Sequence, residues 1–293
     1  LFDAARVVIA DELHAFASDD RGWHMLAVLE RLVRLSGRDL QRLGLSATVG
    51  NPDQLLAWFS ASSNGPGEVI RAEAGFDAAA DVAIDYVGSD ENAATVIAAL
   101  HRGEKRLVFC DSRSGAETVA AAVRERGTET FVSHSSLSAD ERRRTEQAFA
   151  ESSDRVIVAT STLELGLDIG DLDRVIQIDA PSRVASFLQR LGRTGRRPGT
   201  IRNCLFLTQD TSALVRAVAL RQLWAEGYVE HIEPPASPMH LFAQQILALC
   251  LQEHGLPRDE WPAWIGRHPG FAAMTPHDRT EILDFMLERR FLF

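Results

Sequence analysis

The sequence predicts an α/β protein built on parallel sheets, followed by a helical module. Three observations predict it. Runs of β-favouring apolar residues recur with little alternation, as in "RLVFC" (106–110), "RVIVAT" (155–160) and "RVIQID" (174–179). Strands that are apolar on both faces belong to parallel sheets covered by helices on both sides. Helix-spaced apolar residues lie between many of these runs, and after Thr208 only helical patterns remain.

In chain order, strands are expected at "RVVIA" (6–10), "LQRLGLSA" (40–47), "EVIRA" (68–72), "VAIDYV" (82–87), "RLVFC", "ETFVSH" (129–134), "RVIVAT", "RVIQID" and "NCLFLT" (203–208). Met25, Leu26, Leu29, Leu32 and Val33 recur at helical spacing, as do Val184, Phe187, Leu188 and Leu191. "SADE" (138–141) is a capping box that opens a helix. Helices are expected at 211–226, 237–254 and 276–289, the last with Thr275 at the cap and Pro276 at the first helical position. "SASSNGPGE" (60–68) is a loop. The chain therefore divides into a partial α/β unit at 1–75, a linker at 76–81, a complete α/β unit at 82–215 and a helical module at 216–293.

With 293 residues, 45% of them hydrophobic, the chain has room for more than one core. A net charge of -10 removes any general attraction to nucleic acid or anionic lipid, although a local basic cleft remains compatible with it. Cys110, Cys204 and Cys250 lie far apart with no C-x-x-C pair, which argues against a zinc site or a disulfide framework and suits a reducing cytoplasm. No apolar run approaches ~18 residues, so no membrane span is expected, and no signal-peptide pattern is visible. The chain opens at Leu1 on a buried-type strand and closes on "MLERRFLF", so it is expected to be an internal segment of a longer protein.

Five stretches carry chemistry. In "VVIADELH" two adjacent acids, Asp11 and Glu12, close an apolar strand; ligands of doubly wound folds sit at that strand end, and Mg²⁺ takes one or two carboxylates beside substrate phosphates. The same acids also suit a helix N-terminus. "RLGLSATVG" (42–50) puts small hydroxyl residues after a strand, which a plain turn would equally explain. "CDSRSGAE" (110–117) sets Ser112, Arg113 and Ser114 before a helix, and "VSHSSLSADERR" (132–143) repeats the plan; both fit phosphate binding or simple capping. In "VATSTLELGLDIGDLDRVIQID" (158–179), Gly166 and Gly170 bracket Asp168 in a turn where a carboxylate can hold a ribose hydroxyl. The most specific is "QRLGRTGRR" (189–197): an amphipathic helix ends at Gly192, and Arg193 and Arg196 follow around Gly195, a glycine–arginine arrangement that suits phosphate oxygens.

The ordered set "DELH", "SAT", "SRSGAE", "TSTLELGLDIG" and "QRLGRTGR" resembles motifs II through VI of superfamily 2 helicases, over roughly residues 6–208. The finer resemblance is to the Lhr-like, or large helicase-related, family. It rests on "DDRGWHMLAVLERL" (19–32) and on "GYVEHIEPPASPMHLFAQQILAL" (227–249) with "EWPAWI" (260–265), the latter similar to that family's winged-helix entry. The resemblance implies tandem RecA-like domains, the first partial, and a winged-helix-like module, probing single-stranded DNA or a duplex with a single-stranded tail. It implies an ATP-driven translocase moving 3′ to 5′, with ATP and Mg²⁺ as cofactors. An RNA or RNA–DNA hybrid helicase is the nearest alternative, and a non-hydrolysing nucleic-acid-binding module is another.

Residue by residue, the resemblance implies that Asp11 holds Mg²⁺ through water and Glu12 activates the attacking water. His14, Ser46 and Thr48 would couple nucleotide state to strand grip. Gln189 would reach the γ-phosphate region, with Arg193 and Arg196 as arginine fingers. Gly166 and Asp168 would meet the nucleotide, and Ser112, Arg113, His134 and Thr160 the tracked strand. One motif is missing. The superfamily's phosphate loop, G-x-x-x-x-G-K-[ST], occurs nowhere in the chain, whose sole lysine is Lys105 in "RGEKRLVF". The chain by itself is therefore expected to be inactive as an ATPase.

Overall fold

In a computed structural model, residues 2–71, 80–136, 138, 140, 154–160 and 172–292 are described. The chain forms two compact units, Leu1–Arg71 with His231–Phe293, and Ala72–Glu230.

The second unit is a six-stranded sheet in the order β3-β8-β7-β4-β6-β5, with every described pairing parallel. Its strands are β3 (Ala80–Tyr86), β4 (Arg106–Phe109), β5 (Thr130–Ser133), β6 (Val156–Ala159), β7 (Arg174–Ile178) and β8 (Arg202–Thr208). The central strands β4 and β6 are buried at every position, which is why their sequences are continuous apolar runs. Leu107, Phe109, Ile157, Phe187 and Phe206 fill the core on one face; Val108, Val119, Val123, Val158 and Ile176 fill it on the other.

Helices cover both faces: α4 (Asp90–Ala99), α5 (Arg113–Glu125), α6 (Val184–Leu191) and α7 (Thr211–Ala225). Three of them begin at side-chain caps, Ser89, Ser112 and Asp210, each accepting a backbone N–H from the first turn. The α6 helix begins differently: the Glu230 carboxylate accepts from Val184 N at 2.6 Å and Ala185 N at 3.0 Å.

In the first unit β1 (Val7–Ala10) and β2 (Gln41–Gly44) pair in parallel. Around them lie α1 (Leu13–Ala17), α2 (Asp20–Ser36) and α3 (Pro52–Ser60). Four helices of the C-terminal stretch complete it: α8 (Met239–Gln252), α9 (Pro262–Ile265), α10 (Pro269–Ala272) and α11 (Pro276–Glu288). One core joins Leu13, Trp23, Leu26, Trp58 and Phe59 to Phe242, Ile246, Ile265 and Phe271. Trp23 donates Nε1–H to Pro235 O at 2.8 Å, and Asn51 exchanges two hydrogen bonds with the backbone of Ile232. Gly22 makes the α1–α2 corner possible, because a Cβ there would stand 2.5 Å from Phe16 O and 2.9 Å from Trp58 Cζ2.

The structure corrects four expectations. The boundary at 215 falls inside α7, whose Ala213, Ala217 and Leu220 are buried, Ala217 and Leu220 in the same core as Phe206. The module expected at 216–293 is thus divided, and its part from 231 onward packs into the first unit because its apolar faces close the core around α2. Residues 68–71 of "EVIRA" do not form a strand; Ile70 is 90% exposed and residues 66–71 have no ladder partner. β3 starts at Ala80, inside the expected linker 76–81. Trp261 and Trp264 pack against the core of the first unit, with Trp261 edge-on to Phe242. The residues from 231 to 292 contain helices and, among the described residues, no strand that would form a wing. Most of the helix expected from "SADE" lies outside the described residues.

Candidate active site

The acidic motif follows β1 directly. Glu12 adopts a left-handed backbone conformation, φ 52°, a conformation that costs a non-glycine residue about 1–2 kcal/mol. Neighbouring backbone bonds hold it. Leu13 N donates to Leu45 O at 2.8 Å, and Leu45 N donates to Ala10 O at 2.8 Å, so the end of β2 clamps the turn after β1. Asp11 Oδ1 accepts from Glu12 N at 2.9 Å. Asp11 is exposed and the Glu12 side chain is partly so, which leaves two carboxylates at the strand's carboxyl end.

His14 ties this motif to the "SAT" segment. Its Nδ1 accepts from Ala47 N at 3.3 Å and lies 3.3 Å from Ser46 Oγ and 3.5 Å from Glu12 Oε2. Accepting an amide N–H requires a lone pair on Nδ1, hence the neutral ring with its proton on Nε2. Burial holds the ring's pKa below the ordinary histidine value, against the opposing pull of Glu12 and Asp11. Asp11, Glu12, His14 and Ser46 are thus brought together; Thr48 follows on the same segment and is exposed.

In the second unit Gln189 lies on α6, and Arg193 and Arg196 on the turn beyond it. The turn is fixed from inside. Buried Thr194 accepts from Asn203 N at 2.9 Å through Oγ1, and this hydroxyl lies 3.2 Å from both Leu191 O and Asn203 O. Gly195 has φ 69°, and a Cβ there would lie 2.6 Å from Arg202 N. Gly195 therefore lets β8 pass; its freedom serves the backbone of this unit. Arg196 is exposed, with Nε donating to Gly192 O at 3.0 Å, and Arg193 is half-buried. Arg190, on the same helix, is buried, donates to Gln177 and stacks over Phe109 at 4.8 Å.

The expected strand-binding residues divide. Ser112 Oγ caps α5 by accepting from Gly115 N at 3.0 Å, and Arg113 Nη1 donates to Ser136 Oγ at 2.6 Å, so the two hydroxyl-rich turns after β4 and β5 adjoin. Thr160 is buried at the end of β6, its N–H donating to Ser133 O at 3.2 Å. His134 is buried as well, its Nε2 3.1 Å from Glu117 Oε1, and the imidazole does not face solvent. Gly166 and Asp168 lie outside the described residues. Two residues that the sequence did not single out also face this end of the sheet: Asp111 and Arg216 line a pocket with Arg190. No periodicity or turn signal marks them, because each sits in an ordinary helix or loop position.

For Mg²⁺ the donor set fits. An ion that keeps several waters asks for one or two carboxylates beside phosphates, and Asp11 and Glu12 supply them. Among the described residues no cluster of three or more acidic, histidine or cysteine side chains forms a cage for a metal. No described helix is long and apolar enough to cross a membrane.

Comparison with known proteins matches residues 91–198 to the helicase conserved C-terminal domain. The chain is 31% identical over 265 residues to the ATP-dependent helicase Lhr-Core protein 2 of Thermococcus barophilus, covering 85% of this chain and 31% of that one. It is 30% identical to the Lhr helicase/uracil glycosylase of Escherichia coli, covering 89% of this chain and 20% of that protein. The chain thus spans a third or less of the length of these two relatives. Among solved structures, the Mycobacterium smegmatis helicase Lhr bound to ssDNA and AMP-PNP superposes with a TM-score of 0.85 at 29% identity, over 97% of this chain and 39% of that one.

Proposed function

We propose, from the chain's membership of the Lhr-like superfamily 2 helicases, that the whole protein is an ATP-dependent helicase moving 3′ to 5′ on single-stranded DNA. The observation that carries this reading is the turn after β1. A strained Glu12, clamped by the end of β2 and joined to the "SAT" segment through His14, links an acid pair to a second loop in one hydrogen-bonded unit.

In this reading Asp11 would hold Mg²⁺ through water, and the bound ion would supply neutralisation of phosphate charge. Glu12 takes the proton of the attacking water as general base. His14, uncharged, relays the position of that turn to Ser46 and Thr48. Gln189 meets the γ-phosphate region, Asp168 meets the nucleotide, and Arg193 and Arg196 stabilise transition-state charge, an effect worth about 10³- to 10⁵-fold where such fingers operate. Ser112, Arg113 and Thr160 hold the strand by its phosphates, so grip is independent of sequence and falls with salt. His134 supports that surface through Glu117. The residues from 231 onward help to part the strands. The 293-residue chain alone, with no G-x-x-x-x-G-K-[ST] segment, does not turn ATP over.

The test compares the full-length protein with its Glu12→Gln variant in Mg²⁺-dependent, DNA-stimulated ATP hydrolysis. The expected loss is about 10²- to 10⁴-fold, the range for removing a general base. Retention of wild-type turnover would refute the role of Glu12, and stimulation by RNA in place of DNA would redirect the substrate to RNA.

A further inference from the structure

The chain leaves the second unit at Glu230 and enters the first at His231, along residues 228–235, which are neither helix nor strand. Within each unit a side-chain contact fastens this stretch. In the second unit Val229 is buried, and the Glu230 carboxylate grips both opening amides of α6: Oε1 accepts from Val184 N at 2.6 Å and Oε2 from Ala185 N at 3.0 Å. Arg183, at the N-cap of α6, has no acceptor in its side chain, so the cap comes from a residue 46 positions away. In the first unit buried Asn51 holds Ile232 by both backbone groups. Its Oδ1 accepts from Ile232 N at 2.8 Å, and its Nδ2 donates to Ile232 O at 2.9 Å. Pro234 and Pro235 follow with φ fixed by their rings, and Pro235 O accepts from Trp23 Nε1 at 2.8 Å. Only His231, which is exposed, stands between the two anchored residues.

Both anchors lead to the candidate site. Gln189 lies on α6, and Arg193 and Arg196 follow on the turn beyond it. Asn51 stands at the N-cap of α3, three residues after Thr48, on the segment whose Ala47 N–H donates to His14. A flexible connection between domains has slack and few contacts. This one is bonded on each side of a single residue and has two prolines behind it, so a shift of one anchor is passed on rather than absorbed. We infer that residues 230–232 form a strap that couples α6 to the "SAT" segment, with Glu230 and Asn51 as positioning residues for ATP turnover. The inference rests on the ATPase reading proposed above.

The test slackens the strap without touching its anchors: two glycines are inserted between Glu230 and His231 of the full-length protein, and DNA-stimulated ATP hydrolysis is measured. His231 is exposed and outside any helix or strand, so the insertion is compatible with folding. The expected result is a fall in kcat of about 2- to 30-fold, the range for perturbing a coupling network. The KM for ATP is expected to stay unchanged, because the groups being positioned act in the transition state. Glu230→Gln, which keeps one acceptor oxygen, is expected to lower kcat less than Glu230→Ala, which keeps none. Once one anchor is cut the strap transmits nothing, so Glu230→Ala/Asn51→Ala is expected to be no worse than the poorer single variant. If Asn51→Ala does not fold, the insertion decides. Wild-type kcat in the insertion variant beside a loss in Glu230→Ala makes Glu230 a local cap and overturns the inference, as do single losses that multiply in the double variant. Arg196→Gln separates the two readings. Wild-type turnover in that variant overturns the role of the arginine turn and the strap with it, whereas its loss of turnover beside a fully active insertion variant removes the strap alone.

Discussion

Gly195 and Gly199 form a matched pair that isolates one steric term. Both have positive φ, 69° and 80°. Alanine at either position therefore carries the left-handed penalty of about 1–2 kcal/mol. They differ in surroundings. A Cβ at Gly199 meets nothing within 4 Å, whereas a Cβ at Gly195 would stand 2.6 Å from Arg202 N, 2.7 Å from Arg202 Cγ and 2.9 Å from Ile201 C. Two of these three are backbone atoms, and Arg202 is registered against Ala80 on β3, so relief requires moving the start of β8. Overpacking of this kind costs about 1–3 kcal/mol. Gly195→Ala is thus expected to destabilise the second unit by about 1–3 kcal/mol more than Gly199→Ala. For a unit of this size that is a difference of about 2–12 °C in melting temperature. Scanning calorimetry of the 293-residue chain reads the transition directly. Equal melting temperatures for the two variants would refute the claim that Gly195 serves the passage of β8. In the full-length protein Gly195→Ala is also expected to lower ATP turnover more than Gly199→Ala, since Arg193 and Arg196 flank the displaced turn.

Two further predictions concern the first unit. Arg42 and Glu30 pair at 3.1 Å with both side chains almost fully buried, and Ser62 joins them; Arg42→Met leaves the carboxylate without its cation and is expected to cost about 3–5 kcal/mol, read by urea denaturation, with much of the loss recovered in Arg42→Met/Glu30→Leu. His268 is fully buried, its Nε2 3.0 Å from Trp23 O and its Nδ1 accepting from Phe271 N at 3.2 Å, and burial lowers its pKa to about 4 from 6.5. The folded value lies below the unfolded one, so this contribution is whole above pH 6.5 and is lost as pH falls to about 4, amounting to ~3 kcal/mol. A His268→Gln variant whose stability falls as steeply as the wild type between those pH values would show that another group is responsible.

The sheet of the second unit was legible because its central strands are buried on both faces, and Val156 to Ala159 carry no polar residue. The short strands of the first unit were harder. Val7 and Ile9 read as buried residues, yet they are 45% and 62% exposed, since the described residues cover one face of the β1–β2 pair. α4 went unpredicted although Ser89 and the buried set Ala93, Ala94, Ile97 and Ala98 carry its cap and its stripe; small alanines give a weak apolar signal. The unit boundary was illegible for a general reason. A helical stripe such as Ala213, Ala217 and Leu220 states that a face is covered and says nothing of which core covers it.

At the candidate site the motif letters serve two different purposes, and that division governs how substitutions there are interpreted. In "GRTGR" (192–196), Thr194 and Gly195 work inward: a hydroxyl bonded to Asn203 and a glycine that admits Arg202. Arg193 and Arg196 stand on the same turn, Arg196 exposed and Arg193 half-buried, where a ligand can reach them. The same holds after β1, where Leu13 N and Leu45 N clamp the turn by backbone bonds while Asp11 and Glu12 present carboxylates. A loss of activity in Thr194→Val would therefore report the turn that carries the arginines. A loss in Arg196→Gln, whose guanidinium donates within the turn to Gly192 O, would report chemistry. The sequence pattern alone cannot separate the two, because a residue type chosen for backbone geometry and one chosen for a phosphate stand side by side at single-residue spacing.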